Sequence, residues 1–174
     1  MKKTADELLE EAKKMIGKET EQMRCKYPIE YEPLRRYCHM VDDENPLFFD
    51  PEYAKNTKYG SVIMPPFALM MYLGHSSMWP SKEVVSLIMP PTPGSNYINM
   101  AQEWELLKPI HVGDHITFKT RLADVYMKSI SIDPKAFWVV NELTFKNQSG
   151  EVVAIIRNRI LVHRSPEEVK QDNS

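Results

Sequence analysis

The sequence predicts an α+β domain in which an antiparallel sheet curls around one apolar helix. The segment Pro65–Leu73 is apolar at every position and opens with a proline pair, which suits a helix start. A helix that is apolar on all sides is one surrounded by protein. After residue 96 the apolar and polar residues alternate with the period of a β-strand. A sheet can cover such a helix only by curling around it.

Size and composition indicate a single globular domain. The 174 residues suffice for one sizeable core, and 43% hydrophobic with 26% charged residues is ordinary for a soluble protein. The net charge of −2 gives no reason to expect nucleic acid or an anionic membrane as partner. The most apolar stretch, Val62–Gly74, is shorter than the roughly 20 residues that a bilayer requires. We expect one cytoplasmic domain over residues 1–174, without a signal peptide because acidic residues follow the first lysines.

Four short elements are predicted before the apolar helix. A Ser, Thr, Asp or Asn at a helix start caps the free N–H groups, and a proline breaks the helix before it. The elements are an N-terminal helix at Thr4–Ile16 (within residues 1–20) with Thr4 as N-cap, a strand at Arg24–Ile29, a helix at Glu32–Val41 that ends before Pro46, and a short helix at Pro51–Lys55 with Asp50 as N-cap.

The segment after the apolar helix is predicted to be an excursion or lid, followed by strands. Residues 75–95 carry four prolines, which interrupt regular structure. The predicted strands are Asn96–Leu107, His115–Leu122, Phe137–Lys146 and Val152–Val162, the last two joined by the turn Asn147–Gly150. An apolar helix followed by a run of antiparallel strands is a hot-dog architecture. Its curved sheet leaves an open edge, so we expect pairing with a second copy or a relative.

Two motifs resemble those of a known family. Residues 43–54 read Asp-Glu-Asn-Pro-Leu-Phe-Phe-Asp-Pro-Glu-Tyr-Ala and closely resemble the signature Gly-Asp-x-Asn-Pro-Leu-His-x-Asp-Pro-x-x-Ala of MaoC-like (R)-specific enoyl-CoA hydratases. Residues 108–114, Lys-Pro-Ile-His-Val-Gly-Asp, resemble a second element of that family. With Tyr59-Gly60 and residues 63–67, the resemblance spans about 40–160. The Pro-Pro-Phe at 65–67 is most similar to the N-terminal dehydratase branch related to fungal fatty acid synthase.

The resemblance implies a site that has lost two catalytic parts. In the family an aspartate and a histidine hold the water that adds to the double bond, and a backbone N–H at the helix start polarises the thioester. Asp43 matches the aspartate, whereas Phe48 stands at the histidine position and Asp42 at the preceding glycine. The donor position falls on Pro66, or on Pro65 if the alignment moves by one, and proline has no N–H. Each loss would lower the rate by a factor of ~10² or more, so we expect the chain alone to be inactive.

The candidate site residues have simpler structural explanations as well. Asp43 is more simply a turn-forming carboxylate. The 11 methionines are either core filling or an adaptable lining for a large acyl group. The histidines lack the spacing of metal ligands, and neither a metal nor a cofactor is expected. Asp43 is the candidate catalytic residue of the degenerate site, and the residues expected to bind substrate are Asn45, Pro65, Pro66, Phe67, Met70 and Met71.

Three hypotheses for the function remain. The first is a non-catalytic subunit of an acyl-CoA hydratase/dehydratase in fatty acid or steroid side-chain metabolism, paired with a catalytic hot-dog subunit and handling bulky or long acyl groups. The second is a self-sufficient homodimeric hydratase with an unusual base such as His39. The third is a module that binds acyl-CoA or an acyl carrier without turnover. A thioesterase is less favoured, because Phe67–Leu73 contains no acidic residue.

Overall fold

The computed structural model describes residues 3–72 and 87–172. The helices α1–α4 are Ala5–Lys13, Tyr31–Val41, Pro51–Lys55 and Pro166–Asp172, and 3₁₀ helices cover Pro46–Phe48 and Pro66–Tyr72. The strands β1–β5 are Met23–Arg24, Asn96–Leu106, Thr117–Met127, Phe137–Lys146 and Val152–His163. They form one sheet in the order β1-β3-β4-β5-β2, antiparallel at every step. This is the predicted α+β hot-dog sheet.

The strand predictions were confirmed for the four long strands. β4 has the predicted bounds and β5 is one residue longer. β3 runs on to Met127, because an irregularity between Leu122 and Asp124 lets it keep pairing with β4. The predicted strand Arg24–Ile29 is mostly wrong, since only Met23–Arg24 is a strand. The chain bends after Cys25, and Pro28 has no N–H for the ladder.

The helix predictions before the sheet were also confirmed. Thr4 forms a reciprocal capping box with Glu7, whose N–H it accepts at 3.2 Å and whose carboxylate accepts the Thr4 N–H at 2.8 Å. α1 ends at Lys13, three residues before the predicted end. α2 begins one residue earlier than predicted, and α3 has the predicted bounds, with Asp50 accepting two N–H groups of its first turn.

The apolar helix departs from its prediction. Over Pro66–Tyr72 it is a 3₁₀ helix, and Leu73 lies outside the described residues. One side of it is buried, with Ala68, Leu69 and Tyr72. The other side is open, and Phe67, Met70 and Met71 are 58%, 41% and 42% exposed. The expectation that this segment is buried on every face is therefore wrong, because the sheet covers only one side of it.

Two apolar clusters cover what we call the inner face of the sheet. The first contains Ile116, Phe118, Leu143, Phe145 and Ile156 together with Ala68 and Leu69. The second contains Leu122, Val125, Phe137, Val139 and Ile160, and α1 packs against it. Along each central strand, one cluster lies at one end and the second at the other.

The predicted excursion, residues 75–95, is described only from residue 87, so His75, Met78 and Pro80 lie outside the described residues. Leu87, Ile88 and Met89 pack against the core. Gly94 is buried against the end of β5, where a Cβ would lie 2.2 Å from the His163 carbonyl oxygen. From Leu87 to Gly94 this segment is therefore part of the packed domain.

Candidate functional site

The end of α2 positions the residues of the first motif. Asp42 terminates the helix in the left-handed conformation, with φ at 57°, and the Asp43 N–H donates to the Cys38 carbonyl at 2.9 Å. The Asp43 carboxylate accepts the Asn45 N–H at 3.0 Å. The Asn45 side chain in turn accepts the Leu47 N–H at 3.1 Å. Both polar side chains therefore shape the turn that leads into the 3₁₀ helix Pro46–Phe48.

A cleft of about 340 Å³ lies between this turn and the end of β2. Its lining consists of Leu47, Phe48, Tyr59, Ile63, Met64, Pro66, Leu106, Leu107, Lys108, Pro109 and Ile110. Two predicted site residues, Phe48 and Pro66, are part of this lining. The other predicted ones, Asp43, Asn45, Pro65, Phe67, Met70 and Met71, lie outside it. The lining is apolar except for the ammonium of Lys108 and the hydroxyl of Tyr59.

One wall of the cleft is held by pairing between the second motif and the segment before the 3₁₀ helix. The Met64 N–H donates to the Ile110 carbonyl at 2.8 Å, and Ile63 forms a β-bridge with His111. The His111 ring nitrogen Nδ1 lies 2.9 Å from Ser61 Oγ. Residues 108–114 were predicted only to form a family turn, and the place of residues 108–110 in the cleft lining was not predicted. The signal available in the sequence was the order of this motif and the proline pair along the chain.

The start of the 3₁₀ helix faces the cleft without a backbone donor at its two prolines. Pro65 is buried and Pro66 half-buried, and neither residue has an N–H. Phe67 projects outward, and its ring meets Trp104 of β2 edge-on at a centroid distance of 5.1 Å. Of the residues expected to contact substrate, Pro66 lines the cleft, and Phe67, Met70 and Met71 lie on the exposed side of this helix. Asn45 and the buried Pro65 belong to neither place.

His39, the alternative base, is exposed on α2 and is not part of the cleft lining. Its Nε2 lies 3.3 Å from Nη1 of Arg35, one helical turn earlier. Guanidinium nitrogens only donate, so in this contact the imidazole accepts. The ring centroid of Phe49 is 6.5 Å away. This environment does not place the imidazole against Phe48 in the cleft.

Three titratable groups near the site have raised pKa values. Burial raises the pKa of the Cys25 thiol to about 11. Burial is the larger cause that raises the pKa of Cys38, and the negative charge of Asp43 raises it further. Burial also raises the pKa of Tyr72, whose hydroxyl contacts the backbone of Glu30. Both thiols are therefore protonated at neutral pH, which makes them poor nucleophiles and poor metal ligands.

The described part of the chain contains neither a group of metal-ligating side chains nor a membrane-spanning helix. Within residues 3–72 and 87–172, no three His, Cys, Asp or Glu side chains are grouped as they would be around a metal ion. The described helices are also all too short or too polar to span a membrane.

The two edges of the sheet differ in length and in exposure. β1 closes one edge with two residues, whereas β2 presents eleven at the other. Apolar side chains at or just beyond β2 are 44–58% exposed, namely Tyr97, Ile98, Met100, Leu106 and Leu107. The open side of the 3₁₀ helix continues this surface through the contact between Phe67 and Trp104. We call the combined area the β2 surface.

Residues 14–156 match the family model described as FAS1-like, dehydratase domain region. The chain belongs to this family. It is 27% identical over 105 residues to a UPF0336 protein of Streptomyces avermitilis, with 57% of the chain and 63% of the relative aligned. It is 28% identical over 141 residues to the mitochondrial 3-hydroxyacyl-[acyl-carrier-protein] dehydratase of Arabidopsis thaliana, with 79% and 76% aligned. The chain thus spans under two thirds of the first of these relatives.

Solved structures of low identity share the fold. The ChsH1-ChsH2 complex of Mycobacterium tuberculosis has a chain with a TM-score of 0.71 at 13% identity, covering 92% of this chain and 96% of that one. A MaoC-like dehydratase from Rhodospirillum rubrum gives a TM-score of 0.61 at 19% identity, covering 87% and 94%. These neighbours show that the chain has the hot-dog fold of MaoC-like dehydratases, and the family match makes it a member of the FAS1-like dehydratase family.

Proposed function

We propose that this protein is the non-catalytic subunit of an enoyl-CoA hydratase/3-hydroxyacyl-CoA dehydratase, and that a second hot-dog chain supplies the catalytic pair. The observation that carries the proposal is the position of Phe48, a phenyl ring in the cleft lining where the family motif has its histidine. A phenyl group cannot accept or release a proton, so water beside it would not be activated for addition to the double bond.

The second support is the proline pair that opens the 3₁₀ helix. As water adds, negative charge develops on the thioester oxygen, and a backbone N–H aimed at it would stabilise the transition state. Pro65 and Pro66 provide none at either candidate position. The proton-transferring histidine and the backbone N–H donor are separate groups that the same reaction needs. The absence of both is what we expect of a half-site that does not catalyse the reaction.

The partner would join along the β2 surface. A long, open and largely apolar edge strand is a template for pairing with another strand. An occupant that pairs with β2 and also packs on Phe67, Met70 and Met71 would cover the exposed apolar side chains of both elements. A relative with the same curved sheet offers both features. One structural neighbour, the ChsH1-ChsH2 complex of Mycobacterium tuberculosis, is itself a complex of two differently named chains.

On this proposal the cleft of the present chain holds part of the acyl group. Its lining is apolar, and the exposed Met70 and Met71 beside it can adapt to differently shaped groups. This combination suits bulky or long acyl chains. Enzyme activity, as a lyase, would belong to the assembled complex rather than to this chain alone, and the complex would act on an acyl-CoA in the cytoplasm.

The test is co-expression with a neighbouring hot-dog protein that retains Asp-x-Asn-Pro-x-His, followed by hydration assays on enoyl-CoA substrates of increasing length. The complex should be active, and replacing the partner's histidine with alanine should lower turnover by about 10²–10⁴-fold. Asp43→Asn should leave most of the activity, because Asp43 only shapes a turn on this proposal. A large loss from Asp43→Asn would assign this half-site to the chemistry.

The self-sufficient homodimer gives the opposite results. The purified chain alone would hydrate crotonyl-CoA, and His39→Ala would abolish that activity. The position of His39 on the exposed side of α2 argues against this candidate. The same assay series therefore separates the two functions.

A further inference from the structure

A row of buried polar side chains crosses the middle of the inner face. It consists of Thr120 on β3, Asn141 on β4 and Asn158 on β5, which are 0%, 0% and 5% exposed. On each of these strands one apolar cluster lies before the polar residue and the second lies after it. A polar row between two apolar clusters is not explained by packing, since it interrupts a continuous apolar surface.

Only in Asn141 do all the polar side-chain atoms have a hydrogen-bond partner. The Asn141 amide accepts the Ile88 N–H at 2.8 Å and donates to the Ile88 carbonyl at 3.2 Å, which fixes residue 88 on the sheet. Asn158 donates from Nδ2 to the Asn99 side chain at 3.4 Å. Its Oδ1, like Thr120 Oγ1, is buried without a hydrogen-bond partner anywhere in residues 3–72 and 87–172. Unpaired buried acceptors are rare in folded proteins because they are destabilising.

Asn158 lies in line with the cleft along the inner face. Leu106 of the cleft lining pairs with Ala154, Trp104 with Ile156 and Gln102 with Asn158. Residues two apart share a face of the sheet, so the four-residue step from Ala154 to Asn158 measures about 13 Å. The β2 residues beside Asn158, Gln102 and Asn99, are exposed. A chain extending from the cleft past Trp104 would therefore come level with Asn158 on β5.

We propose that Asn158 is a polar subsite for the far end of the acyl group, and that its Oδ1 accepts a hydrogen bond from a hydroxyl on that group. This inference rests on the proposed function, which puts an acyl chain in the cleft. The apolar side chains between the cleft and Asn158 would contact the methylene groups, and the unpaired acceptor would select a chain with a donor at the matching distance. The substrate class is a hydroxylated acyl thioester.

The test compares binding of octanoyl-, decanoyl- and dodecanoyl-CoA with their ω-hydroxyl forms, by calorimetry on the full-length protein in its assembled state. At the chain length that reaches Asn158, the hydroxyl form should bind about fivefold more tightly, as one gained hydrogen bond predicts. Asn158→Leu should abolish that preference and leave binding of the plain acyl-CoA intact. Asn158→Ala serves the same purpose if the leucine variant does not fold.

Thr120→Val is the matched control. It removes the other unpaired buried oxygen of the row, but on a strand two positions from β5, so the preference should persist. Equal binding of plain and hydroxylated forms at every length would overturn the subsite and leave the proposed function standing. A preference that survives both Asn158 variants would overturn it as well. Failure of every acyl-CoA to bind would instead contradict the proposed function.

Discussion

The ring of Phe67 meets the ring of Trp104 edge-on, with centroids 5.1 Å apart and planes inclined by 75°. This contact joins the 3₁₀ helix to the edge strand and makes one continuous area of the β2 surface. Edge-to-face pairs contribute about 0.5–1.5 kcal/mol beyond their buried area. This energy is too small to account for the stability of the fold. The contact lies on the β2 surface, where the proposed partner would bind.

We expect Trp104→Ala to weaken assembly with the proposed hot-dog partner by about 30-fold or more, the loss typical of a central aromatic residue at an interface. The dissociation constant from analytical ultracentrifugation is the measurement. Trp138→Ala is the control, because Trp138 stacks on Tyr126 at 6.2 Å on the opposite face of the sheet. Equal weakening by both substitutions would show that the partner does not use the β2 surface.

Restoring the histidine alone should not restore the chemistry. In Phe48→His the base returns to the cleft lining, but Pro66 still provides no N–H for the thioester oxygen. We expect no measurable hydration of crotonyl-CoA by this variant, and higher turnover when Pro66→Gly is added. Loss of absorbance of the conjugated thioester reports the rate. Turnover by Phe48→His alone would mean that the donor comes from another group.

The buried pair Asp133–Arg164 should make stability depend on pH. Arg164 donates from Nη2 to Asp133 Oδ1 at 2.6 Å and from its backbone N to Oδ2 at 2.8 Å. Burial acts to raise the pKa of Asp133, but these hydrogen bonds outweigh it and hold the pKa below its usual range. Since the folded-state pKa is depressed, the stabilisation is present above the ordinary aspartate range and is lost as the pH falls through the folded value.

Asp133→Asn should therefore lower the free energy of unfolding at neutral pH by about 3–5 kcal/mol, since it removes the buried carboxylate that pairs with the Arg164 guanidinium. The difference in the free energy of unfolding between wild type and variant should become smaller in acid. Urea unfolding at several pH values would measure it. Asp6→Asn removes an exposed partner of Lys135 and should change stability by less than about 1 kcal/mol. A difference in the free energy of unfolding that does not change with pH would contradict the role of the Asp133–Arg164 pair.

Gly94 should tolerate no side chain. A Cβ there would lie 2.2 Å from the His163 carbonyl oxygen, which belongs to the backbone and cannot rotate away. Gly94→Ala should lower the free energy of unfolding by about 1–3 kcal/mol or more, seen as a lower melting temperature. The exposed neighbour gives the control variant, Ser95→Ala, which should melt as the wild type does. An unchanged melting temperature for Gly94→Ala would show that residues 87–95 can move off the sheet.

Local patterns were sufficient for most of the elements. Thr4 and Asp50 cap the helices that they were predicted to cap, because capping depends on residues within one helical turn. β4 has its predicted bounds, since its alternating pattern lies between two clear breaks. Phe48 and Pro66 were named from motif position alone, and both line the cleft.

Other parts of the site could not be read from local patterns. The lining residues Leu106, Leu107 and Ile110 come from chain segments about forty residues or more beyond the proline pair. They meet it through the pairing of Met64 with Ile110 and of Ile63 with His111. The exposure of Phe67 and Met70 was also missed. An apolar run predicts burial, whereas the fold leaves one side of it open at the β2 surface.

The sequence by itself determined the four long strands and most of the helices, which motifs are present, and that the histidine and N–H positions of the family motif hold Phe48 and proline. These features depend on residues close together in the chain. Only the tertiary structure decided which residues face each other: the exposed side of the 3₁₀ helix, the wall formed by residues 106–110, and the position of Asn158 between two apolar clusters, where its Oδ1 has no hydrogen-bond partner among the described residues. Burial and hydrogen-bond satisfaction depend on distant strands meeting in one sheet, which no local period specifies.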